Sequence, residues 1–164
     1  MLRPYEPGDL EWIMDVANRA WAPINVSYRR ILGDELYRIL VPAPETRKGE
    51  EMRLMCSREP AAVSVCVEGG RRVGFICTAT DAARRIGTIG NNAVDPACGL
   101  KGIGQQMYRF ALERFRAAGM LYAEVSTGLD EGHARARRAY ERAGFDISRP
   151  QITYYRKLGP QGTP

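Results

Sequence analysis

Three glycines near the middle of the 164-residue chain stand in the run Val94-Asp95-Pro96 and Gly99-Leu100-Lys101-Gly102-Ile103-Gly104-Gln105. The run reads as the end of a strand, a sharp turn and the start of a long helix. Such a turn gathers several backbone N–H groups at one point, and a helix start adds unpaired donors and a partial positive charge. Those are the groups that bind a phosphate or pyrophosphate. Glycine removes the β-carbon that would block a close anion and tolerates φ > 0. On their own, the same glycines also suit an ordinary strand-to-helix turn.

Other residues carry chemistry less directly. His133 is the only histidine; it stands near a helix start beside Asp130 and Glu131. Its unperturbed pKa suits a general base, and capping or packing against the loop is the structural alternative. Tyr140 occupies the inner face of a short helix, where an aromatic is ordinarily core. Asn91 and Asn92 are too weakly basic to take a proton, but they can orient a substrate, hold a water or satisfy an irregular backbone. The arginines at 135, 137 and 138 read as a solvated helix face. Four cysteines without a CxxC pair, beside one histidine, argue against a bound metal. They fit a reducing, cytoplasmic setting, and Cys98 reads as turn filler or a reactive thiol.

The elements that position these residues follow from periodicity. Ile103, Met107, Phe110, Ala111 and Phe115 share one face of the helix after the turn, and Gly119 ends it. Ile86, Thr88 and Val94 mark the preceding strand, where Gly87 and Gly90 predict a bulge or a close approach to the backbone. Upstream, residues 2–5 suggest a short strand. Asp9 caps a helix that Pro23 ends, and a second helix spans 27–41 with Gly33 weakening it. A third covers 45–59. Residues 62–67 and 73–78 form a hairpin around Glu68-Gly69-Gly70-Arg71. Downstream come a strand at 121–127, a helix at about 131–143 capped by Gly144, and a last strand at 151–158. This order predicts an α/β (α+β) fold: a mixed central sheet with helices on both faces.

One domain over 1–158 accommodates it, with 159–164 expected to be a disordered tail. Apolar residues at 45% and charged residues at 26% suit a globular protein, with no apolar run long enough for a membrane span. The N-terminus turns polar too soon for a secretory signal. The net charge of +5 favours anionic ligands. The arginines are dispersed without interleaved aromatics, which ranks nucleic acid low among partners.

Val94-Asp95-Pro96, Gly102-Ile103-Gly104, Ala136, Tyr140 and Gly144-Phe145 together resemble the two signature motifs of the GNAT superfamily, the acyl-CoA-dependent N-acetyltransferases. The resemblance covers about 63–158 in element order. It implies a sheet that is mostly antiparallel, with a splayed parallel pair holding acetyl-CoA. The pyrophosphate would rest on Gly99, Leu100, Lys101, Gly102, Ile103, Gly104 and Gln105, and the pantetheine would pair with backbone near Val94. Tyr140 matches the tyrosine that protonates the departing thiolate. His133 stands where an asparagine is common and keeps a possible cofactor contact. Gly99 and Leu100 depart from the usual Gln or Arg followed by glycine, and Lys101 can supply the charge instead. The acceptor would be a primary amine of a small molecule or peptide, and many proteins of this fold pair as homodimers.

An attacking amine must first lose a proton. A buried carboxylate with a raised pKa can take it, and Glu124, on the strand beside the cleft, is the best placed by sequence. Three functions remain in order: an N-acetyltransferase; a CoA-binding module with little or no transfer; and, well below, a nucleic-acid binder.

Overall fold

The β-branched run at 63–67 and the turn after it build the middle of a five-stranded sheet. The computed structural model describes residues 1–159. Strands β1 (Leu2–Pro4), β2 (Val63–Glu68), β3 (Arg71–Asp81), β4 (Ile86–Val94) and β5 (Tyr122–Val125) lie in chain order across the sheet. The first four are antiparallel, and β5 runs parallel to β4. Four helices cover the two faces: α1 (Leu10–Leu40), α2 (Arg47–Arg58), α3 (Ile103–Ala117) and α4 (Ala134–Arg142).

Alternation along the strands sorts side chains between two cores. Val63, Val65, Phe75, Cys77 and Ala93 pack against Ile13, Val16 and Ala17 of α1 and Met52 and Cys56 of α2. Cys66, Val73, Ile76 and Ile89 pack on the other face against Ile103, Met107, Ala111 and Phe115 of α3 and Tyr140 of α4. The glycine in β4 at position 87 is explained by this second core. A β-carbon there would come within 2.3–2.6 Å of Phe115 ring carbons, so glycine lets α3 sit close to the sheet. Cys56, Cys66 and Cys77 are buried, which pushes all three thiols up, Cys77 to about 12.

Three expectations need correction. Pro23 does not end the first helix: α1 continues to Leu40, and its one non-helical residue is Gly33 (φ 72°, ψ 162°). A proline removes a single helical hydrogen bond, and Asn25 holds the chain beyond it by donating to Pro44 O at 3.0 Å. The helix expected at about 131–143 starts later, after a 3-10 turn at Glu131–His133. The last strand does not form. Residues 146–159 have no regular structure and are exposed throughout. Their sequence has strand character, but a strand also needs a partner edge. The expected tail lies outside the described residues except for Gly159. No helix of the described residues is long and apolar enough to cross a membrane.

Asp9 precedes α1 as expected, but its carboxylate turns away from the helix. It accepts from Arg3 Nη1 and Nη2 at 2.7 and 2.8 Å and from the Glu6 N–H at 2.9 Å. Burial works against this carboxylate, yet the Arg3 and Glu6 hydrogen bonds, with Arg72 nearby, hold its pKa below the ordinary value. A carboxyl depressed in the folded state adds stability above its unfolded pKa of about 4 and loses it as pH falls through the folded value. The unfolding midpoint should therefore fall on acidification from about pH 5 to about pH 3. Asp9→Asn should flatten that slope and cost about 1–3 kcal/mol at neutral pH, read by urea denaturation.

Candidate active site

The parallel pair is short. Ile86–Ile89 of β4 match Tyr122–Val125 of β5, and there the pairing stops. β4 runs on to Val94 against β3 alone. The side of β4 that faced β5 is therefore open from position 90 onward. At the same place the β3–β4 register shifts: Thr78 pairs with Ile89 but Ile76 pairs with Asn92. One β3 residue, Cys77, thus faces two on β4, Gly90 and Asn91. The bulge expected from the glycines lies here, and past it ordinary alternation points the two asparagines at opposite faces.

Asn92 points toward α3 and α4. Its amide nitrogen donates to Gly90 O at 3.0 Å and to Tyr140 Oη at 3.2 Å. Its amide oxygen accepts from Tyr108 Oη at 3.1 Å. The Tyr108 and Tyr140 rings lie 5.1 Å apart, and Phe145 meets Tyr140 edge-on at 6.0 Å. Because the Tyr140 oxygen accepts from Asn92, its own proton is free to be donated. Burial pushes the Tyr108 hydroxyl well above the usual tyrosine range, so it stays a donor. Tyr108 escaped the sequence reading; its place five residues after Ile103, on the helix face below the turn, is the signal that marks it.

Asn91 points the other way and donates to Glu51 Oε1 of α2 at 2.8 Å. Glu51 also holds Lys48 Nζ at 2.9 Å, and that ammonium lies 4.4 Å from the Trp21 ring centroid. Burial raises the Glu51 carboxyl, but Lys48 and Asn91 outweigh it and keep the pKa below the ordinary value. Glu51 stands 40 residues from Asn91 in a charged helix, so no local pattern singles it out. Glu124, the acid expected on β5, is exposed and accepts from Thr88 Oγ1 at 2.9 Å. It stands in solvent and not in the buried pocket expected of it.

The glycine turn is tied down at its entrance. Asp95 accepts from Arg19 of α1 and from the Ala97 N–H, both at 2.8 Å, and its carbonyl accepts from the Cys98 N–H at 3.0 Å. Beyond it Gly99 (φ 69°) and Gly102 (φ 82°) take left-handed conformations that L side chains resist. The first helical bond is Gln106 N–H to Gly102 O at 3.0 Å. Among the described residues, the N–H groups from Gly99 to Gln105 donate to no protein acceptor. A cleft of about 380 Å³ opens beside them, lined by Leu100, Lys101, Gly102, Gln106, Arg109 and Glu68. Gln105 donates to Ala139 O at 2.7 Å and joins α3 to α4. Val94, half-buried, closes β4 at the start of the turn.

His133 makes its contacts with the loop before α4 and with α1. Its Nδ1 is 2.6 Å from Asp130 Oδ2, and its ring lies 5.8 Å from that of Tyr28 on α1. Burial works against the Asp130 carboxylate, while Ser27 and His133 hold its pKa below the ordinary value. The structure thus joins Asn92 to Tyr140 and, through Gln105, the turn to α4, while Asn91, Glu124 and His133 make three separate contacts with Glu51, Thr88 and Asp130. No cluster of three or more metal-ligating side chains occurs among the described residues.

The acetyltransferase (GNAT) family model matches residues 33–145. No curated protein matches the chain. Of the solved structures, a mutant protein of Bacillus halodurans is similar with a TM-score of 0.71 and 14% identity, over 96% of this chain and 99% of that one. The PaiA N-acetyltransferase of Thermoplasma acidophilum, solved with coenzyme A, gives 0.65 and 16% over 92% of each chain. The ribosomal-protein-S18-alanine N-acetyltransferase of Escherichia coli gives 0.65 and 18%, over 96% of this chain and 84% of that one. At such identities the likeness is one of fold.

Asn92→Ala would leave the buried Tyr108 hydroxyl without its acceptor. A loss of about 1–3 kcal/mol in denaturant unfolding is expected, with Asn92→Asp losing less. An unchanged midpoint for Asn92→Ala would show that the amide does not hold the two tyrosines.

Proposed function

The chain belongs to the acetyltransferase (GNAT) family, and we propose that it transfers the acetyl group of acetyl-CoA to a primary amine by direct attack. The observation that carries this reading is the run of undonated amides from Gly99 to Gln105 at the mouth of the parted strands. Seven N–H groups at a helix start suit a diphosphate. Open space around Gly99 and Gly102 leaves room for one. Lys101 and Arg109 add positive charge beside the cleft. The unpaired side of β4 up to Val94 offers N–H and C=O groups to an amide-bearing arm. Bound acetyl-CoA supplies the acyl group and a thiolate that leaves.

The remaining steps belong to the chain. Tyr140, its oxygen already engaged by Asn92, donates its proton toward the open side of β4. The bulge directs backbone N–H toward the carbonyl as charge develops there. Glu51, kept ionised by Lys48 and Asn91, is a weak proton acceptor but a good anchor for a cationic amine. Glu124 and His133 are the remaining candidates for the base, and their exchange for Gln and Ala should be read in the pH profile of kcat. The acceptor is an amine on a small molecule or a peptide.

One rival reading has an observation behind it. Gly99 lacks the Gln or Arg side chain usual at its position, Leu100 adds one where glycine is usual, and Glu124 is exposed, which suits a CoA-binding module with little transfer. A screen of amines with acetyl-CoA, read as free thiol, separates the two. Release of thiol with at least one amine supports transfer; thermal stabilisation by CoA without release across the panel supports the module. If CoA neither stabilises the protein nor gives heat in calorimetry, both readings fall.

Two substitutions extend the test. Tyr140→Phe should lower kcat about 10²- to 10⁴-fold with CoA affinity held within about twofold. Gly102→Val, strained at φ 82° and bulky in the turn, should weaken CoA at least about tenfold while kcat at saturation changes less.

A further inference from the structure

The loop from Gly128 to His133 is built around a buried carboxylate that the acetyl-transfer steps leave unused. The Asp130 side chain is 7% exposed and that of His133 13%. Asp130 Oδ2 lies 2.6 Å from His133 Nδ1. Asp130 Oδ1 is sealed from solvent and has no hydrogen-bond partner among the described residues. A carboxylate placed this way is costly, and its contact with the imidazole helps to offset that cost.

Two glycines make room for the pair. A β-carbon at Gly128 would collide with Asp130 Oδ2 and His133 Nδ1. One at Gly132 would stand 2.9 Å from Asp130 Oδ1 and 3.0 Å from the Ser27 β-carbon on α1. Arg137 of α4 fixes the loop by donating to Gly128 O at 2.6 Å and to Asp130 O at 2.8 Å. The Gly132 N–H donates to Ser27 Oγ at 3.3 Å, and the Tyr28 ring bounds the imidazole on the α1 side. A loop that only joined β5 to α4 would need none of these restraints.

This geometry decides which nitrogen of His133 holds the proton. A carboxylate only accepts, so Nδ1 carries hydrogen whether the ring is neutral or charged. The neutral ring therefore keeps its lone pair on Nε2. Nε2 has no protein partner among the described residues and is not one of their sealed polar atoms. The loop begins where β5 parts from β4. His133 immediately precedes α4, and Tyr140 follows two helical turns later, about 10 Å along the axis. The pair and the Tyr140 hydroxyl thus flank one opening.

We propose that Asp130 is a positioning residue that presents His133 Nε2 as the base for the acceptor amine. The inference rests on acetyl transfer to an amine being the reaction, and it selects His133 over the exposed Glu124. The acceptor arrives as an ammonium. Nε2 takes one proton and passes it to water. The freed lone pair forms the C–N bond at the thioester carbon, and the C–S electrons leave on sulfur. Sulfur takes the Tyr140 proton, and one of the two protons left on the attacking nitrogen returns through water to the tyrosinate. Asp130 stays ionised throughout and stabilises the imidazolium.

His133 is the only histidine, so its imidazole gives one set of nitrogen signals in NMR. Above the ring's titration the unaltered protein should show Nδ1 protonated and Nε2 bare. A neutral ring protonated at Nε2 overturns the proposal, whether or not any variant folds. With an amine that releases thiol, His133→Ala should lower kcat/KM about 10²- to 10⁴-fold, and Asp130→Asn at least about tenfold. A base works deprotonated, so the rate climbs as pH passes the ring's pKa. Removing the neighbouring anion in Asp130→Asn should move that acidic limb down by about one pH unit. The other groups around the pair are common to both profiles: Tyr28 on α1, Arg47 on α2, Glu131 and Arg137 beside the loop, and Tyr155 after α4. The acceptor's own ionisation is common to both as well. An Asp130 that merely held the loop would lower the rate at every pH and leave the limb in place. That outcome, or full activity in His133→Ala, overturns the proposal and leaves acetyl transfer intact. If the parent protein releases no thiol with any amine, the transfer reading fails and the base role falls with it.

Discussion

A backbone group that leaves a sheet without a partner must find one elsewhere, and most of this molecule is arranged around that requirement. β5 stops at Val125 while β4 continues to Val94. The difference leaves a stretch of main chain bonded on one side only. The bulge opposite Cys77 lies within this stretch, and beside it Asn91 and Asn92 point in opposite directions. Had β5 run as far as β4, the sheet would be closed and no extended ligand could add to it.

Two longer-range contacts hold the opening in shape. Arg19 reaches from α1 to Asp95 and joins the helical layer to the entrance of the glycine turn. Burial disfavours the Asp95 carboxylate, but Arg19 and the Ala97 N–H keep its pKa below the ordinary value. On the other face, the Asn92 amide stands between two tyrosines whose helices are joined by Gln105. The turn, the bulge and the aromatic pair are thereby tied to different layers of the same domain, and a shift in one layer is felt at the opening.

Local pattern revealed much of this. Glycine spacing located the turn, and the positive φ at Gly99 and Gly102 matches the physical reason for reading it there. Periodicity located α3, α4 and the hairpin. What stayed hidden depends on chain segments far apart in sequence. Arg19 and Asp95 are 76 residues apart, Glu51 and Asn91 are 40, and neither Arg19 nor Glu51 differs locally from its solvated neighbours. Pro23 was read as a stop because proline ordinarily breaks helices, but the chain carried on through it to Gly33. The segment at 151–158 had the right alternation. A strand, however, is a property of two chains side by side, and sequence periodicity reports only one of them.

The burial of sulfur has a practical side. Cys56, Cys66 and Cys77 lie in the two cores, where burial keeps their thiols protonated at neutral pH. Cys66 is further engaged by donating to Gln106 Oε1 at 3.0 Å. Only Cys98, beside the glycine turn, is partly exposed. A disulfide dye added to the folded protein would thus meet a blank of about one equivalent, and a ligand filling the turn would lower even that. The molecule supplies its own low background for colorimetry, and the blank itself becomes a gauge of occupancy.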